Sequence, residues 1–131
     1  ALRQHYPDDD PRFVMPAQLT THVLDTMHGT PAAGLKIEFW RLDGEPQHIK
    51  TVTTNADGRT DEPLLTQGAM LEGHFELRFH VSDYFAAKRV SLPEPPFLDI
   101  IPVRFAIFDA SSKYHVPLLV SPWAYSTYRG S

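Results

Sequence analysis

Two of the seven histidines of this 131-residue chain occur in segments whose apolar side chains alternate along the sequence. His22 lies in residues 19–24, and His115 lies in residues 114–120. Successive side chains of a β-strand point to opposite faces, so each histidine is predicted to point away from the apolar face of its strand. Because an imidazole gains and loses a proton near neutral pH, two of them on sheet faces could carry acid–base catalysis.

The outward faces of these two strands also carry Leu24 and Leu119. Apolar side chains on an outward face predict that a second subunit covers it, and imidazoles in a covered face could form a site. The spacing alone leaves the alternative open that each histidine is an ordinary surface or interface residue.

Two further features are compatible with such a site. Arg59 directly follows Asp57 and Gly58, at the end of a segment typical of a tight turn. An arginine there is either solvated or directs its guanidinium along a sheet face toward an anionic or carbonyl-rich ligand. Residues 121–131 stay strand-like and aromatic to the end, which predicts that this segment is held against the domain.

Other kinds of site find less support in the sequence. His74 and His80 share the polar face of one predicted strand but lie about 20 Å apart at ~3.3 Å per residue. No HxH, HxxxH or HExxH spacing occurs, so no metal site is predicted. A Ser-His-Asp triad could be assembled from Ser121, Ser126 and Asp25, but the GxSxG sequence that presents such a serine is absent. No cofactor is expected.

The composition is that of a single globular domain, with 42% hydrophobic and 21% charged residues. A formal net charge of −4 argues against nucleic acid as a partner, because a phosphate backbone needs a basic surface. No apolar run approaches the ~20 residues of a membrane span, and no secretory signal is recognised. The absence of cysteine excludes disulfides and thiolate sites. The expected compartment is the cytoplasm, with the periplasm and the peroxisome left open.

The elements that must position these side chains are short strands. Apolar and polar side chains also alternate in residues 35–39, 74–81 and 101–107, with turn sequences between these segments. Seven or eight such strands predict an all-β, antiparallel sandwich.

One short helix and one tail complete the prediction. The helix spans Ser82–Lys88, with Ser82 or Asp83 as its N-cap and Lys88 in its last turn, and is expected to pack at a sheet edge. Residues 1–17 are predicted to form a flexible, exposed tail ahead of a domain spanning residues 18–131.

Separated blocks of this sequence resemble the 5-hydroxyisourate hydrolases, the transthyretin-related enzymes of urate breakdown. The blocks are Leu19–Thr26, Gly29-x-Pro31-Ala32, Thr54-Asn55-x-Asp57-Gly58-Arg59, His115–Trp123 and Tyr128-Arg129-Gly130-Ser131. They follow the family's order and spacing over residues 19–131, and the terminal tetrapeptide is the family's most specific mark. The resemblance implies a transthyretin-like sandwich of seven to eight strands with one short helix. It also implies a homotetramer, a dimer of dimers, with active sites in the channel between the dimers.

The resemblance further implies a site and a reaction. The matching residues are His22, Arg59, His115 and Ser131 as catalytic groups, and Tyr128, Arg129 and Gly130 as substrate-binding groups. The implied substrate is 5-hydroxyisourate, whose six-membered ring opens when water adds to a ring carbonyl, giving 2-oxo-4-hydroxy-4-carboxy-5-ureidoimidazoline. No cofactor or metal is implied.

The residue types suit this hydrolysis. One of His22 and His115 is expected to take a proton from water while the other orients water or substrate. Arg59 is expected to offset the negative charge that develops on the attacked carbonyl. Ser131 could act through its hydroxyl or, by orienting a histidine, through its carboxylate.

Two other functions remain open at this stage. The first is a transthyretin-type small-molecule carrier, which has the same fold but replaces the histidines, the arginine and the Tyr-Arg-Gly-Ser ending. The second is a β-sandwich adhesion or carbohydrate-binding module, which the alternation alone would allow. The presence of His22, Arg59, His115 and the terminal tetrapeptide favours the hydrolase.

Overall fold

A computed structural model of the protein describes residues 16–130 as two four-stranded sheets packed face to face. The strands are β1 (Leu19–Asp25), β2 (Thr30–Pro31), β3 (Lys36–Arg41), β4 (Gln47–Thr53), β5 (Gly73–His80), β6 (Ile100–Ile107), β7 (Tyr114–Val120) and β8 (Tyr125–Thr127). The helices are α1 (Val81–Ala87) and a 3-10 turn (Gln67–Ala69). The predicted sandwich is therefore confirmed. Residues 1–15 of the predicted tail, and Ser131, lie outside the described residues.

The two sheets have the strand orders β2-β1-β7-β8 and β4-β3-β5-β6. All the strand pairs are antiparallel except β1–β7, which runs parallel and so departs from the antiparallel prediction. Parallel neighbours need a long connection, and here the whole second sheet and the helix lie between β1 and β7 in the sequence. This pair forms the centre of the first sheet and carries both His22 and His115.

The core lies between the sheets and follows the predicted alternation. In β1 the residues at 19, 21, 23 and 25 are buried, while His22 and its neighbours on the outer face are half-buried. The inward apolar residues of the long strands include Leu19, Val23, Ile37, Phe39, Phe75, Leu77, Phe79, Val103, Val116, Leu118 and Val120. Two outward residues depart from the alternation: Glu76 is buried by its ion pairs with Arg78 and Arg104, and Pro117 is buried on β7.

The helix begins at Val81, one residue earlier than predicted, and ends at Ala87. Neither predicted cap forms: Ser82 donates its hydroxyl to Asp99 (2.5 Å) instead, and Lys88 follows the last turn as the C-cap. The helix contacts the edge strand β6, as expected for an element that packs at a sheet edge. Within residues 16–130, no helix has the length and apolar character needed to cross a membrane.

Candidate active site

Arg59 lies directly beside His22 on the outer face of the first sheet. The loop that follows β4 runs along β1, where Arg59 pairs with His22 in an isolated bridge and the Val23 amide donates to the Gly58 carbonyl (2.8 Å). The His22 ring strengthens this contact, because its Nε2 lies 2.8 Å from the Asp57 carbonyl oxygen. A carbonyl only accepts, so Nε2 carries the proton and the Nδ1 of neutral His22 has a free lone pair.

A tight turn holds Arg59 at that position. The Gly58 amide donates to the Asn55 carbonyl (2.9 Å), and the Asn55 side chain accepts from the amides of Asp57 and Arg59. Gly58 has φ +74°, and a Cβ there would overlap the carbonyl oxygen of Val23. Only glycine combines a positive φ with the absence of a Cβ. The turn Asn55-Ala56-Asp57-Gly58 therefore holds Arg59 beside β1.

His115 lies on the neighbouring strand, β7, with its ring held from two sides. Thr20 is its register partner on β1, and the Thr20 hydroxyl lies 2.8 Å from His115 Nδ1. On the other side the Gly130 amide donates to the His115 carbonyl (2.8 Å). A Cβ on Gly130 would lie 2.7 Å from His115 Cδ2, so the ring packs against bare backbone.

Arg59 and His115 line one cavity of about 430 Å³ on this face. Its other lining residues are Gln18, Thr20, Thr21, Thr60, Pro63 and Lys113. His22 is outside this lining and adjoins it through Arg59. The arrangement brings three of the four predicted catalytic side chains to one face, while the fourth, Ser131, lies outside the described residues.

The electrostatics of the site favour the neutral form of His115. Burial lowers the pKa of its imidazole, and the positive charges of Arg59 and Lys113, together with the nearby His22, lower it further. Within residues 16–130, no carboxylate forms an ion pair with any of these four side chains. A neutral imidazole in a cationic pocket can accept a proton from water, and the surrounding charges favour a ligand rich in oxygen.

The residues predicted from the terminal tetrapeptide take different positions. Gly130 contacts His115, as described above. Arg129 points away from the cavity: its guanidinium lies 4.3 Å from the centre of the Tyr114 ring and donates to the Lys113 carbonyl (3.1 Å). Tyr128 is 58% exposed and lines a separate cavity of about 250 Å³ between the edge strands β6 and β8. Any contact of Tyr128 or Arg129 with substrate stays a prediction.

Sequence reasoning did not single out Thr20 and Lys113, which both line the cavity. Strand parity could have found Thr20, because it shares the outward face of β1 with His22. Nothing in the sequence marks it as the partner of His115, since that contact depends on the β1–β7 register.

The alternative Ser-His-Asp triad does not form among the described residues. The Asp25 carboxylate is buried and accepts hydrogen bonds from the His28 ring (2.6 Å) and the Tyr84 hydroxyl (2.7 Å). Burial raises the pKa of Asp25, but a hydrogen bond from the His28 amide (2.9 Å), together with those from Tyr84 and the His28 ring, outweighs it and leaves the pKa below its ordinary value. Ser121 bonds within its own turn, to the backbone of Trp123 and Ala124. No group of three or more His, Asp or Glu side chains between residues 16 and 130 could hold a metal ion.

Fold and candidate site together define a β-sandwich protein that groups two histidines with two cationic side chains, Arg59 and Lys113, on one sheet. The chain belongs to the HIUase/Transthyretin family, whose sequence profile matches residues 19–130. It is 57% identical to 5-hydroxyisourate hydrolase 2 of Rhizobium meliloti over 115 residues, which is 87% of this chain and 96% of that protein.

Solved structures agree with the family. The structure of Klebsiella pneumoniae 5-hydroxyisourate hydrolase matches with a TM-score of 0.72 and 30% identity, covering 87% of this chain and 99% of that one. Sea bream transthyretin in complex with thyroxine matches with a TM-score of 0.76 and 26% identity, covering 86% of this chain and 94% of that one. The shared fold therefore does not separate enzyme from carrier.

Proposed function

We propose that the protein hydrolyses 5-hydroxyisourate. The observation that carries this proposal is the convergence of Arg59 and a neutral His115 in one cavity, with His22 beside the arginine. The relatives that bear this activity in their names, such as the Rhizobium meliloti protein, support it.

The geometry favours His115 as the base. Its depressed pKa leaves the imidazole unprotonated at neutral pH, ready to take a proton as water attacks the ring carbonyl. A carbon–oxygen bond forms, the carbon–nitrogen bond of the six-membered ring breaks, and the departing nitrogen takes the proton back. His22, with its Nδ1 lone pair available, orients the water or the substrate.

Arg59 stabilises the charge that this step creates. Its guanidinium lines the cavity without a carboxylate partner among the described residues, so its charge is available to the oxygen of the attacked carbonyl. General acid–base catalysis accelerates a reaction by about 10²–10⁴-fold. Together with one such electrostatic contact, it is a sufficient mechanism for this hydrolysis. Ser131 is proposed to position water or substrate through its hydroxyl.

We also propose that the protein works as a homotetramer. The surface of the described residues carries exposed aromatic side chains, among them Phe97 (67% exposed), Phe108 (70%) and Trp123 (60%), which a partner subunit would cover. The edge strands β6 and β8 offer unpaired backbone for such contacts. Sedimentation analysis tests this assembly. The cytoplasmic location is likewise a proposal, tested by fractionation.

The test of function is the decay of ultraviolet absorbance after freshly oxidised urate is mixed with the protein. A hydrolase accelerates the decay in proportion to enzyme concentration. A transthyretin-type carrier, the alternative that the fold allows, leaves the decay unchanged and instead binds thyroxine. Unchanged decay overturns the proposal.

A further inference from the structure

The Thr20 side chain contacts the His115 ring directly. The two are register partners across the β1–β7 pair, and the Thr20 hydroxyl oxygen lies 2.8 Å from His115 Nδ1. We propose that Thr20 is a positioning residue, whose hydroxyl accepts a hydrogen bond from His115 Nδ1–H and leaves Nε2 as the nitrogen that takes the proton. The proposal rests on the hydrolytic function assigned above and adds a residue to it.

The place of Thr20 is fixed by the sheet and not by a flexible loop. It lies on the outward face of β1, half-buried, and lines the same cavity as Arg59 and His115. A β-branched side chain in a strand has restricted χ1, so the hydroxyl is held in place at little further cost. The backbone of Gly130 closes the opposite side of the imidazole. The ring is thus clamped between a hydroxyl and a glycine.

The direction of this hydrogen bond follows from what the ring must do. A hydroxyl that accepts from Nδ1–H serves the neutral imidazole and also the imidazolium formed when Nε2 takes a proton. A hydroxyl that donates to Nδ1 bonds only to the neutral tautomer whose proton is on Nε2. It has to rotate and become an acceptor when the ring is protonated. An accepting hydroxyl therefore supports the base through the whole proton transfer.

The side chains near His115, two of them the cations Arg59 and Lys113, make this support more important. Arg59, Lys113 and His22 all disfavour the imidazolium, and no carboxylate within residues 16–130 pairs with the ring to offset them. The Thr20 oxygen is the hydrogen-bond partner that the described side chains offer to the ring. Loss of the Thr20 hydroxyl should destabilise the imidazolium form of His115 and lower the pKa of His115 further.

The second sheet provides a matched control. There the Thr51 hydroxyl lies 2.8 Å from His48 Nε2, a contact of the same type on an exposed face outside the cavity. Replacing either threonine by valine keeps the shape and removes the hydroxyl. Only the change at Thr20 should affect catalysis.

The experiment measures the pH profile of kcat and KM for Thr20→Val, Thr20→Ser and Thr51→Val. For Thr20→Val we expect kcat to fall roughly tenfold or more with KM nearly unchanged, and the acidic limb to move to lower pH. Thr20→Ser, which keeps a hydroxyl, should restore most of the loss, and Thr51→Val should match the parent. A folded Thr20→Val protein with the parent's kcat and acidic limb overturns the proposal.

A measurement that does not use turnover separates this proposal from the proposed function. Nitrogen chemical shifts of His115 in the unmodified protein should show the proton on Nδ1 above neutral pH, and the opposite tautomer overturns the assignment even if no variant folds. A protein that carries the proton on Nδ1 but does not accelerate 5-hydroxyisourate decay would instead contradict the hydrolase.

Discussion

The two sheets of this sandwich both present imidazoles and guanidinium groups on their outer faces, yet they treat them differently. On the second sheet His80, Arg78 and Arg104 each have a carboxylate partner, whereas the exposed His48 bonds to the Thr51 hydroxyl. His80 pairs with Glu38 (2.5 Å), while Arg78 and Arg104 share the buried Glu76 at 2.5 and 2.6 Å. The hydrogen bonds from these cations help to hold the pKa of Glu76 below its ordinary value against the opposing effect of burial.

On the first sheet the same residue types stay uncompensated. His22 bonds to a backbone carbonyl and His115 to a threonine hydroxyl, and no described carboxylate pairs with Arg59. The charge of a paired cation is compensated by its carboxylate, whereas an unpaired cation can act on a ligand. The candidate active face is therefore distinguished by two features together: its cations lack a described carboxylate partner, and Arg59 and His115 line one cavity.

Removal of a histidine should have the largest effect, and the effect should differ between the two sheets. His115→Ala and His22→Asn should each lower kcat by about 10²-fold or more, because the first removes the proposed base and the second removes the imidazole that orients water or substrate. His74→Ala, on the second sheet and with a side chain 72% exposed, should keep parental turnover. The measurement is the decay of ultraviolet absorbance with each of the three variants. Circular dichroism verifies that each variant is folded. Parental turnover in both first-sheet variants would contradict the site.

A methyl group placed against His115 should have the next largest effect. In Gly130→Ala the new Cβ would come within 2.7 Å of His115 Cδ2, so the ring must shift from its place beside Thr20. We expect kcat to fall about tenfold, because a displacement of this size disturbs a proton transfer that depends on geometry. Gly68→Ala is the control, since its Cβ would meet nothing within 4 Å. Equal activity of the two alanine variants would show that the placement of the ring is unimportant.

The smallest effect is expected from a single charge at the edge of the cavity. Lys113→Gln removes a cation that lowers the pKa of His115, so that pKa should rise and the acidic limb of kcat/KM should move to higher pH. This shift is opposite in direction to the one expected for Thr20→Val. Lys50→Gln makes the same charge change on the second sheet and should leave the profile in place. A shift to lower pH in Lys113→Gln would contradict the electrostatic account.

Much of the fold was predictable because it depends on local alternation. The period of two placed β1, β5, β6 and β7 and assigned His22 and His115 to outward faces, since inward residues must be apolar. The parallel β1–β7 pair was not predictable, because strand direction is decided by contacts between distant segments. The role of Thr20 depends on that register and was missed for the same reason.

Glu76 and Arg129 show a second limit. Strand parity placed Glu76 on the polar face, yet its two arginine partners bury it, and only the three-dimensional neighbours decide this. Arg129 matches the family's terminal motif, but its guanidinium packs on the Tyr114 ring. A motif identifies residue types, whereas the direction of a side chain follows from the three-dimensional neighbours of the segment that carries it.

The contact between Thr20 and His115 spans 95 residues of sequence. While the chain is being synthesised, β1 leaves the ribosome long before β7 exists, so the centre of the first sheet stays open until nearly the whole domain has emerged. The second sheet, whose four strands are complete by Ile107, can assemble first. Catalytic competence is thus acquired late in the life of a nascent chain, and a truncated product that stops before β7 can contain the second sheet without any capacity for turnover.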